Sequence, residues 1–195
     1  MFKKILALVV LASVSTVAFA QGTVNFNTLA LGTSAQVYQS DGVTLLSGAT
    51  YMAQLFAGPG TTAESALVAV GNPVGFRTSA NAGYVQTTGT AFGSAVDPVV
   101  TISAAAAGGA VTVQLRAWDA TYASYALAKA SLKGNVYGQS ALLALAATGN
   151  PNGSPPSTPV NLDGLKGFNL NVIPEPTTLA LVLLGGAALL IRRRK

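Results

Sequence analysis

Glycine, proline, asparagine and serine recur so densely between Gln21 and Val172 that no long helix can form there, and this punctuation limits the fold more than any other feature. With 21 glycines and 9 prolines in the chain, the apolar segments are cut into short lengths. What lies between the breakers is rich in β-branched and aromatic residues, which suit a pleated, half-buried surface. Thr23 to Phe26, Ala35 to Gln39, Thr50 to Phe56, Leu67 to Val70, Gly83 to Thr87, Val99 to Ile102 and Ala110 to Trp118 read as strands. Their spacing of about 10 residues predicts an all-β fold, an antiparallel β-sandwich.

Asp41-Gly42 separates two strand-like runs, and the pair tolerates the positive φ of a two-residue hairpin turn. Along Ala110 to Trp118, Val111, Val113, Leu115 and Ala117 fall on one face, which should enter the core. Thr112, Gln114, Arg116 and Trp118 fall on the other. Tyr122 to Ser131 breaks this alternation and is rich in alanine, which predicts a short helix crossing between sheets and ending near Gly134. Gln139 to Ala147 suits a helix by its leucines and a strand by its context, and the strand is preferred. Residues 149–160, rich in Pro, Gly and Ser, predict a surface loop. Phe168, Leu170 and Val172 alternate as a last strand.

Both ends read as targeting segments, leaving a body of roughly 150 residues, the usual size of one domain. Residues 1–20 have the order of a secretory signal peptide: Lys3 and Lys4, an apolar run from Ile5 to Val14, then Ala18-Phe19-Ala20. Ala18 and Ala20 suit the small pockets of signal peptidase, and the cut would precede Gln21. Residues 173–195 have three parts. Pro174, Glu175 and Pro176 cannot enter a helix or donate to a sheet, so they stay extended. An apolar stretch at about residues 177–191 predicts a short transmembrane helix of about 22 Å, against a hydrocarbon core of about 30 Å. Arg192, Arg193, Arg194 and Lys195 resist crossing and act as a membrane stop.

The tail resembles the PEP-CTERM sorting signal of Gram-negative bacteria. That resemblance implies processing by exosortase, an integral-membrane cysteine transpeptidase, with Pro174, Glu175 and Pro176 as the recognised residues. It further implies a structural or adhesive protein, anchored in the inner membrane before processing and passed to the cell surface or an exopolysaccharide-bearing extracellular matrix. The Gln21 to Phe26 start and the Arg116-Ala117-Trp118-Asp119 segment are similar to the small β-rich ectodomains often joined to such tails.

The formal charge of +5 would ordinarily raise nucleic acid as a partner, but six of the eleven basic residues lie in the two ends. In the body, Arg77, Arg116, Lys129, Lys133 and Lys166 face Asp41, Glu64, Asp97, Asp119 and Asp163, five against five. Dispersed cations of that number cannot line a phosphate-binding groove, so no nucleic-acid partner is expected. The chain has no cysteine and no histidine, which removes thiolate and imidazole chemistry. No catalytic residue, metal or cofactor is expected, and the chain is not read as an enzyme. Arg116, Trp118 and Asp119 form the one polar and aromatic cluster. The guanidinium could stack on the indole beside an acid, the arrangement by which a carbohydrate-binding module holds a sugar ring. A structural arginine with Asp119 closing a turn is the alternative, and the favoured one.

Overall fold

The clearest alternating segment of the sequence lies at the centre of the larger sheet. The computed structural model describes residues 21–30, 32–87, 90–91, 94–95 and 98–172. Its first strands are β1 (Gln21–Asn25), β2 (Leu29–Ala30), β3 (Thr33–Ser34), β4 (Val37–Tyr38), β5 (Gly48–Pro59), β6 (Val68–Phe76), β7 (Thr90–Ala91) and β8 (Ser94–Ala95). Then follow β9 (Val99–Ala106), β10 (Val111–Asp119), helix α1 (Tyr125–Ala130), β11 (Tyr137–Gln139), β12 (Leu143–Leu145), β13 (Val160–Asn161) and β14 (Phe168–Asn169). The protein is all-β in character. The signal and transmembrane helices expected at residues 1–20 and 177–191 lie outside the described residues. Among the described residues no helix is long and apolar enough to cross a membrane.

β10 pairs antiparallel with β5 from Val111 opposite Pro59 to Asp119 opposite Tyr51, and β5 pairs in turn with β6. Its other edge meets β11 at Arg116–Trp118 and β12 at Val111–Val113. The register leaves one extra residue between these two short strands, so they are halves of one edge strand broken by a bulge. Ser140 closes the gap: its N–H donates to Leu115 O, and its Oγ accepts from Leu115 N. The Gln139 to Ala147 expectation is thus met by strand for part of its length.

The smaller sheet has the order β13-β1-β9. β9 runs antiparallel to β1, whereas β13 runs parallel to it, and β14 runs parallel to β4. The sheets are therefore not wholly antiparallel as expected. Residues near the end of the body return beside its first strands, and a connection that long permits parallel pairing. Val24, Val100 and Ile102 of the smaller sheet share one apolar core with Ala53, Leu55, Val70, Val113 and Leu115 of the larger.

The second face of β10 is buried too, where a single core face was expected. Thr112, Gln114 and Trp118 are 4%, 1% and 2% exposed. At Trp118 the cover is aromatic: Tyr125 and Ala128, one helical turn apart on α1, pack on it together with Tyr122 and Tyr137, while Thr112 is bonded to Gly60 O and Thr62 N, and Gln114 to Ser140 O. Ser124 caps the helix by accepting from Leu127 N. The helix lies within Tyr122 to Ser131 but ends at Ser131, and it joins β10 to β11 of one sheet instead of crossing between sheets.

Other expectations are shortened or shifted. Ala35 to Gln39 yields only Val37–Tyr38 as strand. The chain does reverse at Asp41-Gly42, with Gly42 at φ 70°, but in a wider loop closed by Gln39 N donating to Thr44 O at 2.7 Å. Asp41 shapes it by accepting from Val43 N and Thr44 N. Leu67 to Val70 extends to Phe76 through a bulge at Gly71-Asn72-Pro73, since Ala53 opposes Val74 while Leu55 opposes Val70. Gly83 to Thr87 forms only an isolated bridge from Val85 to Phe76, because Gly83 at φ 83° turns the chain and Val85 N donates to Thr28 Oγ1. The residue 149–160 loop is irregular until β13 begins at Val160; Asn150 and Ser157 tie it together with two hydrogen bonds.

Gly138 of β11 leaves no room for a side chain, since a Cβ there would lie 2.8 Å from Asn169 O and 3.0 Å from Leu170 Cα. Gly138→Ala is expected to lower stability by about 1–3 kcal/mol in urea denaturation, because backbone must move. A change within about 0.5 kcal/mol, the scatter of an ordinary surface substitution, would refute the close approach.

Candidate functional site

Arg116 sits at the one partly open position on the outer face of β10. Its guanidinium lies over Phe56, 4.1 Å from the ring centroid, and 5.1 Å from that of Tyr125. Nε donates to Gln114 Oε1 at 2.8 Å, and Nη2 donates to the backbone carbonyl of Glu64 at 3.1 Å. The Glu64 carboxylate begins a short 3-10 turn, Glu64–Ala66, and accepts from Gln139 Nε2 at 2.8 Å. Tyr125 OH donates to the other end of the same amide, Gln139 Oε1, at 2.5 Å. Glu64, Ser65, Arg116, Tyr125, Ala126 and Lys129 line an open cleft of about 460 Å³.

Three titratable groups of this network are shifted, each for its own physical reason. Burial holds Arg116 below the usual guanidinium range, and the neighbouring Tyr125 and Glu64 oppose that shift in part. The Gln139 hydrogen bond holds Glu64 below the usual carboxylate range. Burial pushes the Tyr125 phenol up to about 12.

The cleft supplies one carboxylate to its lining, whereas acid-base hydrolysis of a glycoside needs two. The other described acids have local partners. Asp41 shapes its loop, Asp119 accepts from Thr121 N at 2.8 Å, and Asp163 accepts from Thr33 Oγ1 at 3.2 Å. Asp97 lies outside the described residues. Among the described residues no three potential ligands converge on a metal position.

The Arg116, Trp118 and Asp119 cluster is taken apart by the fold. Trp118 is buried, its Nε1 donates to Tyr122 O at 3.1 Å, and its ring meets Tyr125 edge-on at 6.4 Å. Its indole has no open face for a sugar, and the guanidinium stacks on Phe56 and Tyr125 instead. Asp119 closes a turn. The reason is that Tyr122 and α1 fold back over this end of the strand, which strand alternation alone does not reveal. Glu64, Phe56 and Gln139 join Arg116 only through sheet register and a loop 52 residues away, so no local spacing signals them.

Residues 172–195 match the family model of the PEP-CTERM protein-sorting motif. The chain is a PEP-CTERM domain-containing protein. No curated protein and no solved structure matches it. The PEP-CTERM motif implies export and recognition of the tail by exosortase, a membrane protein. Pro174, Glu175, Pro176, Arg192, Arg193, Arg194 and Lys195 fall within the matched span and outside the described residues; Ala18 and Ala20, at the other end, also lie outside the described residues. Gln21, expected to follow the signal cleavage, opens β1.

Backbone hydrogen bonds of the body continue to Asn171, directly before the PEP-CTERM match. Phe168 N donates to Gln36 O, and Leu170 N to Tyr38 O. Asn171 N then donates to Tyr137 O at 2.7 Å, while Asn171 O accepts from Asn135 N at 2.8 Å. The last segment is stitched to β4 on one side and β11 on the other, and only Val172 and Ile173 separate this stitching from Pro174.

Trp118→Ala is expected to cost about 3–5 kcal/mol, with the loss of a cooperative urea transition as the readout. The alkaline limb tests Tyr125. Its folded pKa lies above that of a free phenol, so the stabilisation is present below pH 10 and lost as pH rises towards 12. The urea midpoint should fall over that range more steeply in the native chain than in Tyr125→Phe, with Tyr51, also raised by burial, contributing equally to both. Equal slopes would remove burial of Tyr125 as the cause.

Proposed function

We propose that the protein is a structural or adhesive component of the cell surface or extracellular matrix of a Gram-negative bacterium. It is a β-sandwich ectodomain exported by a signal peptide that signal peptidase removes before Gln21. The C-terminal helix holds it in the inner membrane until exosortase acts at or near Pro174-Glu175-Pro176. The observation that carries this reading is the sorting motif spanning residues 172–195. Its marginal apolar length supports a segment held briefly and then processed, since a permanent anchor usually has about 20 apolar residues.

The body itself is read as non-catalytic. Its described acids accept hydrogen bonds from neighbouring groups, and the Arg116 guanidinium is held over Phe56 and Tyr125 while donating to Gln114 Oε1 and Glu64 O. Exopolysaccharide is the partner class implied by the destination. Residue-level support for a carbohydrate-binding module is lost with the exposure of Trp118.

Mass spectrometry of both termini, on protein from fractionated cells, tests the processing. The expected product starts at Gln21, ends close to Pro174 and leaves the inner membrane, while Glu175→Ala accumulates there uncut. A surface-located chain still ending in Lys195 would replace this account with a plain anchor.

A further inference from the structure

Val43, Leu132 and Val172, at 79%, 73% and 66%, are the most exposed large hydrophobic residues among the described ones. All belong to one end of the body. Asn135 is the knot that joins them: its Oδ1 accepts from Ser40 N at 2.8 Å, its Nδ2 donates to Gln39 Oε1, and its N–H donates to Asn171 O. Each exposed residue lies within three positions of this knot, Val43 after Ser40, Leu132 before Asn135 and Val172 after Asn171. A second contact joins the same loops, for Gly42 lies against the Asn169 amide.

Leu132 is held at φ 53°, a conformation that L residues other than Asn and Asp avoid. Backbone strain of this sort recurs at functional positions. Here it exposes a leucine where a polar residue would cost less. Lys133 beside it is exposed and cationic. Asp41, the acid of the neighbouring loop, is turned back on its own loop by Val43 N, Thr44 N and Thr44 Oγ1.

What covers this end follows from the length of chain between Asn171 and the apolar run of the tail. From Asn171 to Thr177, where the apolar run of the tail begins, about six residues reach at most about 22 Å when extended. A headgroup layer takes up about 5–8 Å of that. The tether therefore keeps this end, and no other, beside the bilayer that the tail enters.

We propose that the Ser40–Thr44 loop, the Ser131–Asn135 turn and Val172 form a membrane-docking face. Val43 and Leu132 enter the headgroup boundary, and Lys133 meets lipid phosphate. This rests on the tail being membrane-inserted, as read above. Docking fixes the body over the exit point, so the short Val172-Ile173 spacer presents Pro174-Glu175-Pro176 to a membrane enzyme at the bilayer surface.

The chain lacks cysteine, so single Val43→Cys, Leu132→Cys and Val68→Cys variants of the exported chain, residues 21–195, accept one fluorophore each. Val68 is 51% exposed and pairs with Ala57, six residues along β5 from Tyr51 and so about 20 Å towards the opposite end of the sheet. The labelled chains are reconstituted with phosphatidylcholine-phosphatidylglycerol vesicles carrying a headgroup nitroxide. Flotation in a density gradient reads insertion of the tail, and far-UV circular dichroism reads folding. The expected result is flotation of all three, with quenching several-fold stronger at positions 43 and 132 than at 68. Flotation with equal quenching at all three positions overturns the docking face and leaves the sorting reading standing. Labels at 43 and 132 shielded in a concentration-dependent way without nitroxide quenching would assign the face to a second copy, and overturn it as well. Failure to float would overturn the tethered reading and the docking face together.

Discussion

The structure depends on the double burial of β10. It is hydrogen-bonded on both edges, to β5 along its whole length and to β11 and β12 on the other side, and it is covered on both faces. A strand in that position must satisfy every backbone group through the sheet and every polar side chain through a named partner. Thr112 donates to Gly60 O, Gln114 donates to Ser140 O, and Trp118 donates to Tyr122 O. Those three bonds fix the β5–β6 connection, the bulge between β11 and β12, and the chain entering α1. The cleft beside Arg116 is a by-product of the same arrangement. It lies where the α1 cover ends and a cation takes the place of an apolar side chain.

How much of this was legible can be judged residue by residue. The apolar face Val111, Val113, Leu115 and Ala117 was readable because period-two alternation is a local property. The Asp41-Gly42 reversal was readable because only a few residues tolerate that backbone. The burial of Trp118 was not, because it depends on Tyr125 and Ala128 returning over a face that alternation assigns to solvent. The parallel pairing of β13 with β1 and β14 with β4 was equally invisible, since strand partners over a hundred residues apart leave no local signature. Gly83 to Thr87 has strand-like composition, yet its turn at Gly83 and its contact with Thr28 prevailed over propensity. For the site, Arg116 was found and Glu64 was not. Arginine in a strand face is conspicuous, whereas a glutamate in a Gly/Thr-rich loop looks like a turn residue until the fold places it.

A protein built on open sheets must also keep its sheet edges from pairing with neighbouring copies. β6 is interrupted by Gly71-Asn72-Pro73, and Pro73 lacks the donor that ladder pairing needs. β9 bulges where Gly22 opposes Ile102 but Gln21 opposes Ala106. The β11 edge is occupied at Tyr137 by Asn171. These devices are distributed over three strands far apart in sequence, so they express a common constraint on the whole body.

The C-terminal stitching ties that constraint to the tail. β14 and Asn171 contribute to the fold through β4 and β11, and the sorting motif begins one residue after the last stitch. A cut at or beyond Pro174 leaves every described strand in place, whereas one four or more residues upstream would free Tyr137 O and uncover an edge of the larger sheet. The short spacer thus has a structural consequence: the last hydrogen bonds of the folded body fall directly before the residues that match the sorting motif. Removing the tail need not unfold the body, because no described hydrogen bond crosses from one to the other beyond Asn171.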